Sequence, residues 1–483
     1  MPTARIHQIA AKLETREGVD PWGAETQPDV SDVLTVFEPA VGGGITFNER
    51  RIAGASLSRG FDSPARETRQ VTFRSDLVGN TTGGSNDAKA DAIPPFDPLI
   101  RACGFQRVKG LKCTGTYTGK FFGAERVGNA AWSGSPTAWG IAINGAGSGT
   151  LFVIPIEGDL TGAATLYGER SGAELGATLT VTETGGGQAY GPQSLKTVAV
   201  ETGAWSSNPV VGDVVTIQRG AEQVGSAQII ELDTTVSSES AILAIWYGGV
   251  ENGDVLTTDD GKTATIDQDP VVAAGPSLAL YSNRDGMEMR TLGARGDFSL
   301  AGESGQILEF AWTFSGGAVD PRDSPLVAGA SLTPLQGPRM QGVYLALGYD
   351  RNQDGTGWFP TSLPIKGIDF AAGITTEDHR NPTAASGIDT ANITDRDPQI
   401  SFDVDQAGVT AFDWYGLRSR AQPVFFALVL GSEVGNRVAV IIPNGQVMEV
   451  DPSEADGQAT HSITIKCRRI REAGDDELWI CKF

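Results

Sequence analysis

Two stretches of this chain share one pattern: "QVTFRSD", Gln70–Asp76, and "QISFDVD", Gln399–Asp405. In both, apolar and polar residues alternate, the period of a strand with one buried face. Val71 and Phe73 fall on one face of the first. Gln70, Thr72, Arg74 and Asp76 fall on the other, matched by Gln399, Ser401, Asp403 and Asp405 in the second. The separation of 329 residues holds backward without a gap, where "GITFNERRIAGAS" from Gly44 meets "GITTEDHRNPTAA" from Gly373. Positions 44–76 give 8 identities in 33. Forward, "FDPLIRACG" from Phe96 meets "FDWYGLRSR" from Phe412. The separation drops to 316 because the first copy carries 13 more residues in the polar loop "NTTGGSNDAKADA". Fainter echoes pair "SNRDGMEMRTL" from Ser282 with "VGNRVAVII" from Val434, and "ESGQILEF" from Glu303 with "ADGQATHS" from Ala455. Blocks recurring in one order predict an internal duplication, which sets the architecture.

Each copy predicts the same run of elements. A strand enters near "DVLTVFEPA" or "LPIKGIDFA", a charged loop follows, and then comes the repeated strand. A short helix begins at "FDPLIRACG" or "FDWYGLRSR", where Asp97 and Pro98 suit a cap and first turn. Strands follow at "PSLALYSN", "MEMRTLGARGDFSL" and "QILEFAWTFSG" in copy one. In copy two they fall at "PVFFALVLG", "RVAVIIP", "QVMEV" and "HSITIKCRR". Between about Thr118 and Pro270 the composition shifts to Gly, Ala, Thr and Ser. There "GTLFVIPIEGDLTGAATLYGERSGAELGATLTV" resembles "AILAIWYGGVENGDVLTTDDGKTATID", each reading as strand, Gly-Asp turn, strand, Gly, strand. This predicts one or two small β-domains inserted at a loop tip, where little backbone pairing is lost. The expected division is residues 1–117 with 271–330, an insert at 118–270, and residues 331–483.

Composition agrees with a β-dominated chain: 62 Gly in 483 residues, 40% hydrophobic and 7% aromatic. No apolar run approaches the 18 residues or so that a membrane helix needs. The opening "MPTARIHQIAAKLETREG" suggests a short surface helix and lacks the apolar segment of a signal peptide, so the chain is expected to stay where it is made. The net charge is −22 and no Lys/Arg run appears, against the basic patch of a protein that grips nucleic acid. An acidic surface serves solubility, or it lets a polyanion pass without sticking. Cys103, Cys113, Cys467 and Cys481 form no CxxC pair, and four thiols are too few for a disulfide scaffold. Cys467 and Cys481 are placed on opposite arms of a last hairpin, "IKCRRIREAGDDELWICKF", as reduced thiols.

The chain resembles the major tail tube protein of long-tailed, siphovirus-like bacteriophages. The likeness rests on "AAKLETREGVDP", "DPLIRACGF", "PSLALYSNRDGMEMRTLGARGDFSL", "FSGGAVDPRDSP", "ITDRDPQISFDVD", "LVLGSEVGNRVAVIIPNGQV" and "GDDELWICKF", in that order. These span the chain apart from the insert, which departs from the family pattern. The resemblance implies a mainly β fold: two tandem tail-tube β-sandwich domains, each with a flanking short helix, plus an inserted β-domain region. It implies subunits that pack into rings, rings that stack into a hollow tube, and a lumen walled by β-sheet through which double-stranded DNA passes. Implied partners are the chain itself, the tape measure protein, the tail tip and the tail terminator, with no membrane and no cofactor. The implied location is the virion tail, after a stay in the host bacterial cytoplasm. A chain with two tube folds would need three copies to make a pseudo-sixfold ring. Closing the sheets around that ring pairs strand edges that would otherwise aggregate. The lumen-facing candidates are Gln70, Thr72, Arg74, Asp76, Gln399, Ser401, Asp403 and Asp405. Arg74 opposes in sign its counterpart Asp403. The insert is expected to project outward, since in the lumen it would block DNA.

Other motifs carry less. "DRNQDG" from Asp350 looks like the first half of a calcium loop, but its ninth and twelfth positions are Trp358 and Thr361. It reads more simply as a turn. "RGD" at Arg295–Asp297 has strand-like flanks. His7, His379 and His461 are scattered, and no nucleophile elbow or Walker A sequence appears. No catalytic or metal-ligating residue is assigned. Two other readings stay open: a baseplate, tail-tip or receptor-binding component, and a polysaccharide-cleaving tail enzyme.

Overall fold

In a computed structural model, residues 7–483 are described apart from 15–28, 49–62, 135, 159, 183, 193–194, 201–208, 210–212, 221, 234–238, 249, 259–260, 269, 273–274, 329–335, 351–357, 362–363, 383–385, 407, 411, 456 and 472–474. The chain is mainly β, 59% strand and 6% helix. Seventeen strands form the body, and thirteen of them make its main framework. The first six are β1 (His7–Leu13), β2 (Phe37–Asn48), β3 (Ser63–Asp76), β4 (Leu278–Arg284), β5 (Met287–Glu303) and β6 (Glu309–Asp323). The next six are β7 (Tyr344–Asp350), β8 (Gly367–Ala371), β9 (Gln399–Asp405), β10 (Pro423–Leu430), β11 (Val438–Ala455) and β12 (Gln458–Cys467), followed by β13 (Trp479–Lys482).

Both halves pair in one order. In the first, β2 pairs with β3, β3 with β6, β6 with β5, β5 with β4 and β4 with β1. In the second, β8 pairs with β9, β9 with β12, β12 with β11, β11 with β10 and β10 with β7. The registers match as well. Ala40 opposes Thr72 as Asp369 opposes Ser401, so the 329-residue separation carries through both strands. Phe73 opposes Trp312 as Phe402 opposes Ile463, and Phe298 opposes Trp312 as Val450 opposes Ile463. Hence β5 maps onto β11 at a separation of 152 and β6 onto β12 at 151. The turn between them is one residue shorter in the second half. Gly305 and Gly457 take positive φ in those turns, where a side chain would be strained.

The halves are joined by one seam. The C-terminal end of β5 pairs with β8, Ser299 with Ala371 through Glu303 with Gly367. The sheet thus runs β2-β3-β6-β5-β8-β9-β12-β11, and its inner face feeds one core spanning both halves. Phe298 sits at the centre of that core, within 5.3–5.9 Å of the rings of Phe105, Phe310, Trp312 and Phe370. The remaining strands close over the core from the other side.

The inserts are a closed barrel and a seven-stranded sheet that a single bridge curls into a second, barrel-like unit. Six strands in residues 111–182 close on themselves in the order first, fourth, third, second, fifth, sixth. Six more in residues 195–265 pair in the same order, and a Val200–Ile266 bridge brings the last strand back to the first. The kinship heard between the "GTLFV" and "AILAI" stretches falls on the fourth to sixth strands of each barrel. Leu111–Thr118 belongs to the first barrel, and Gln188–Pro192 returns to the body between the two, pairing with Phe105–Lys109 and β13.

Three local expectations change. His7–Leu13 is a strand, not a surface helix. It is held between β4 and Val33–Leu34 with Ile9 and Ala11 in the core, and tertiary pairing outweighs the helix preference of Ala, Lys and Leu. Cys467 and Cys481 are not on two arms of one hairpin: β12 and β13 both pair with β11, and the two buried thiols belong to different core clusters. Asp97 does not cap its helix, α1 (Asp97–Ala102). It is buried, accepts a bond from Tyr190 Oη at 2.7 Å and lies beside Arg101 and Arg107. In the second half Asp413 does cap the matching helix, α2 (Trp414–Ser419), accepting from Gly416 N at 2.8 Å.

Candidate functional site

The long sheet turns apolar side chains to the core and polar ones to the opposite face. Gln70, Thr72, Arg74 and Asp76 on β3 share that outer face with Gln399, Ser401, Asp403 and Asp405 on β9. The core faces of both strands feed the same hydrophobic cluster. Between them stand β6, β5 and β8, which add Glu309, Thr313, Ser299, Glu303 and Asp369 to the face. The face is built from small hydroxyl, amide and carboxylate side chains. Its cations are paired: Arg74 lies 3.6 Å from Glu38 and 3.9 Å from Glu309, and Lys466 contacts Asp397. Both pairs reach solvent, so each adds little stability. Each does set a carboxylate beside a positive charge, which lessens the opposition in sign between Arg74 and Asp403. Asp76 faces Glu309 directly across the ladder, and burial with this like charge raises the Asp76 pKa.

Glu38, Glu309 and Asp369 were not picked out from the sequence. The alternation in "EFAWTFSG" has the period of the repeated strand and would have placed Glu309 and Thr313 on this face.

The two ends of the long sheet are open among the described residues. At one end β2 pairs only with β3. At the other, the C-terminal part of β11 pairs only with β12, because β10 and β13 stop at Gln446 and Ile441. The open stretch of β11, residues 451–455, corresponds to residues 299–303 of β5. The open stretch of β2, residues 38–42, corresponds to residues 367–371 of β8. These are the two sides of the internal seam. A companion contact marks the same spot. Asp297 Oδ1 accepts from Ile374 N at 3.0 Å, and Ile374 is only 7% exposed. Its counterpart Ile45 on the open edge is 45% exposed, and the counterpart of Asp297 is the carboxylate Glu449.

No protein-family model matches this chain, and no curated protein matches it significantly. Among the described residues no group of three His, Cys, Asp or Glu is placed to hold a metal ion, and no helix is long and apolar enough to cross a membrane. The calcium-like turn lies outside the described residues beyond Asp350. The RGD tripeptide lies within β5, with Arg295 buried and Asp297 engaged by Ile374.

The first barrel sits on the far side of the body from the polar face. Its Trp139, Ile141, Phe152 and Ile154 pack on Phe425, Ile441, Trp479 and Phe483. Arg170 donates to Ala124 O and Pro443 O, 2.8 and 2.9 Å away, and lies over the Phe425 ring. Buried Glu125 accepts from Phe122, Arg170 and Ser171 amides and holds the turn that carries Arg170.

Proposed function

We propose that the chain is the subunit of a ring-forming tube, a structural protein of a long-tailed phage virion that encloses a passage for duplex DNA. The observation that carries this reading is the seam. The chain joins its two halves by pairing β5 with β8, and leaves the equivalent stretches of β11 and β2 open at opposite ends of the same sheet. Repeating that junction between chains is a head-to-tail contact, and a head-to-tail contact whose rotation closes makes a ring. Eight strands per chain stand in the wall. Three chains give about 24, and at about 4.8 Å per strand the wall is about 115 Å around and about 37 Å across before tilt widens it. That leaves room for a B-form duplex. The face turned to the passage is then the acidic, hydroxyl-rich one, and among the described residues its cations Arg74 and Lys466 stand beside carboxylates, which weakens any grip on phosphates. The first barrel packs on the opposite side and projects outward.

End-on electron micrographs of the purified protein at high concentration test this. Rings with threefold modulation of a sixfold outline are expected. Six whole chains per ring, or no closed ring at all, would count against it.

A further inference from the structure

We propose that Pro39 and Pro452 weaken the seam between two copies of this chain relative to the seam inside it, and so restrain premature ring closure. This rests on the ring reading above. In the internal seam Ala372 N donates to Phe298 O at 3.0 Å and Ser304 N to Lys366 O at 2.8 Å. Between them the register runs without a slip. Hydrogen-bonded pairs alternate along an antiparallel ladder, so Leu300 with Phe370 and Gly302 with Ile368 are the pairs that exchange bonds. Carried to the open edges, these become Pro452 with Val41 and Glu454 with Pro39.

Each pair has therefore lost one donor. Leu300 N–H is replaced by the proline nitrogen of residue 452, and Ile368 N–H by that of residue 39. Neither proline harms its own chain. Pro39 lies within the irregularity between Phe37 and Ala40, and Pro452 turns its nitrogen away from β12. Proline with its nitrogen facing solvent is what an edge strand tolerates, and an edge short of donors is a poor template for indiscriminate pairing. The apolar contact is reduced too, since the smaller side chains of Pro452 and Val41 stand where Leu300 and Phe370 fill the internal seam. The seam keeps its register but grips less, so free chains stay dispersed until many contacts form together.

The test compares full-length wild type with two double variants. Pro39→Ile with Pro452→Leu restores the residues of the internal seam. Pro39→Ala with Pro452→Ala restores the donors alone. Sedimentation velocity over a concentration series reads the threshold for ring formation, and thermal melting checks folding. The expected drop in threshold is roughly fivefold per restored donor, about twenty-fivefold for both. If wild type forms rings and folded variants form them at the same or higher concentration, the proline restraint is overturned while the ring reading stands. If wild type and both variants remain monomeric throughout, the ring reading falls and this inference with it.

Discussion

Truncating the same acceptor in the two seams should give opposite readouts. Asp297→Ala removes the acceptor for Ile374 N inside the chain, and leaves that amide without a partner beside a residue 7% exposed. An unsatisfied buried donor costs about 1–3 kcal/mol, so the monomer's melting temperature should fall by several degrees. Glu449 is the matching residue at the open edge and is exposed. Glu449→Ala should leave melting unchanged, because its acceptor role exists only when Ile45 of a neighbouring chain arrives. A hydrogen bond to a charged group contributes about 1.5–3 kcal/mol. The longer Glu side chain favours the lower end, so the concentration for ring formation should rise about tenfold. Differential scanning calorimetry on dilute protein and sedimentation of concentrated protein separate the two effects. If Glu449→Ala lowers the monomer's melting temperature as Asp297→Ala does, or leaves assembly untouched, the equivalence between the internal seam and the open edges is wrong.

Phe370→Ala should cost about 3–5 kcal/mol and unfold both halves together, since Phe370 packs on Phe298 across the seam; a single melting transition at lower temperature checks this. Lys482 is buried, with its ammonium donating to Ala90 and Ala92 carbonyls at 2.9 and 2.7 Å, and burial pulls its pKa down to about 8. Lys482→Met should cost about 1–3 kcal/mol by stranding those carbonyls, measured by urea unfolding at pH 7. The sign for pH follows from the lowered value: between about 8 and the ordinary lysine value the unfolded chain binds more protons, so the Lys482 contribution makes wild type gain stability as pH rises there, a gain the variant lacks. Asp76 has a raised pKa, so its ionisation destabilises the fold as pH rises from the ordinary carboxylate range through that value. Asp76→Asn should flatten that loss and add a few tenths of a kcal/mol at pH 7, read as melting temperature against pH. Excising residues 195–272 should spare ring formation. Excising 111–182 should not, because it uncovers Phe425, Ile441 and Trp479; electron microscopy of both deletion variants distinguishes them.

Much of the body was legible because the buried faces repeat. Strands at Gln70–Asp76, Gln399–Asp405 and Gln458–Cys467 announce themselves by period-two alternation, and the 329-residue echo places the first two in matching registers. What escaped depends on contacts distant in sequence. His7–Leu13 has helix-forming residues and becomes a strand only because β4 flanks it from 270 residues away. Asp97 looks like a cap until Tyr190, from the strand between the barrels, arrives to donate to it. The pairing of Arg74 draws on Glu38 and on Glu309, which comes diagonally across from it only once β6 has folded against β3. The open edges could not be read from pattern at all, since an edge is defined by the strand that is missing.

The two barrels leave and re-enter the chain at points that touch. Lys109 pairs with Gln188 across the base of the first, and Lys196 with Val272 across the base of the second. A module whose ends meet adds little loop-closure entropy to whatever carries it. The second barrel, which covers less of the body's apolar surface than the first, is therefore a natural exchange point. Sequence there can drift, or be replaced by an unrelated domain with adjoining termini, while the long sheet keeps its register.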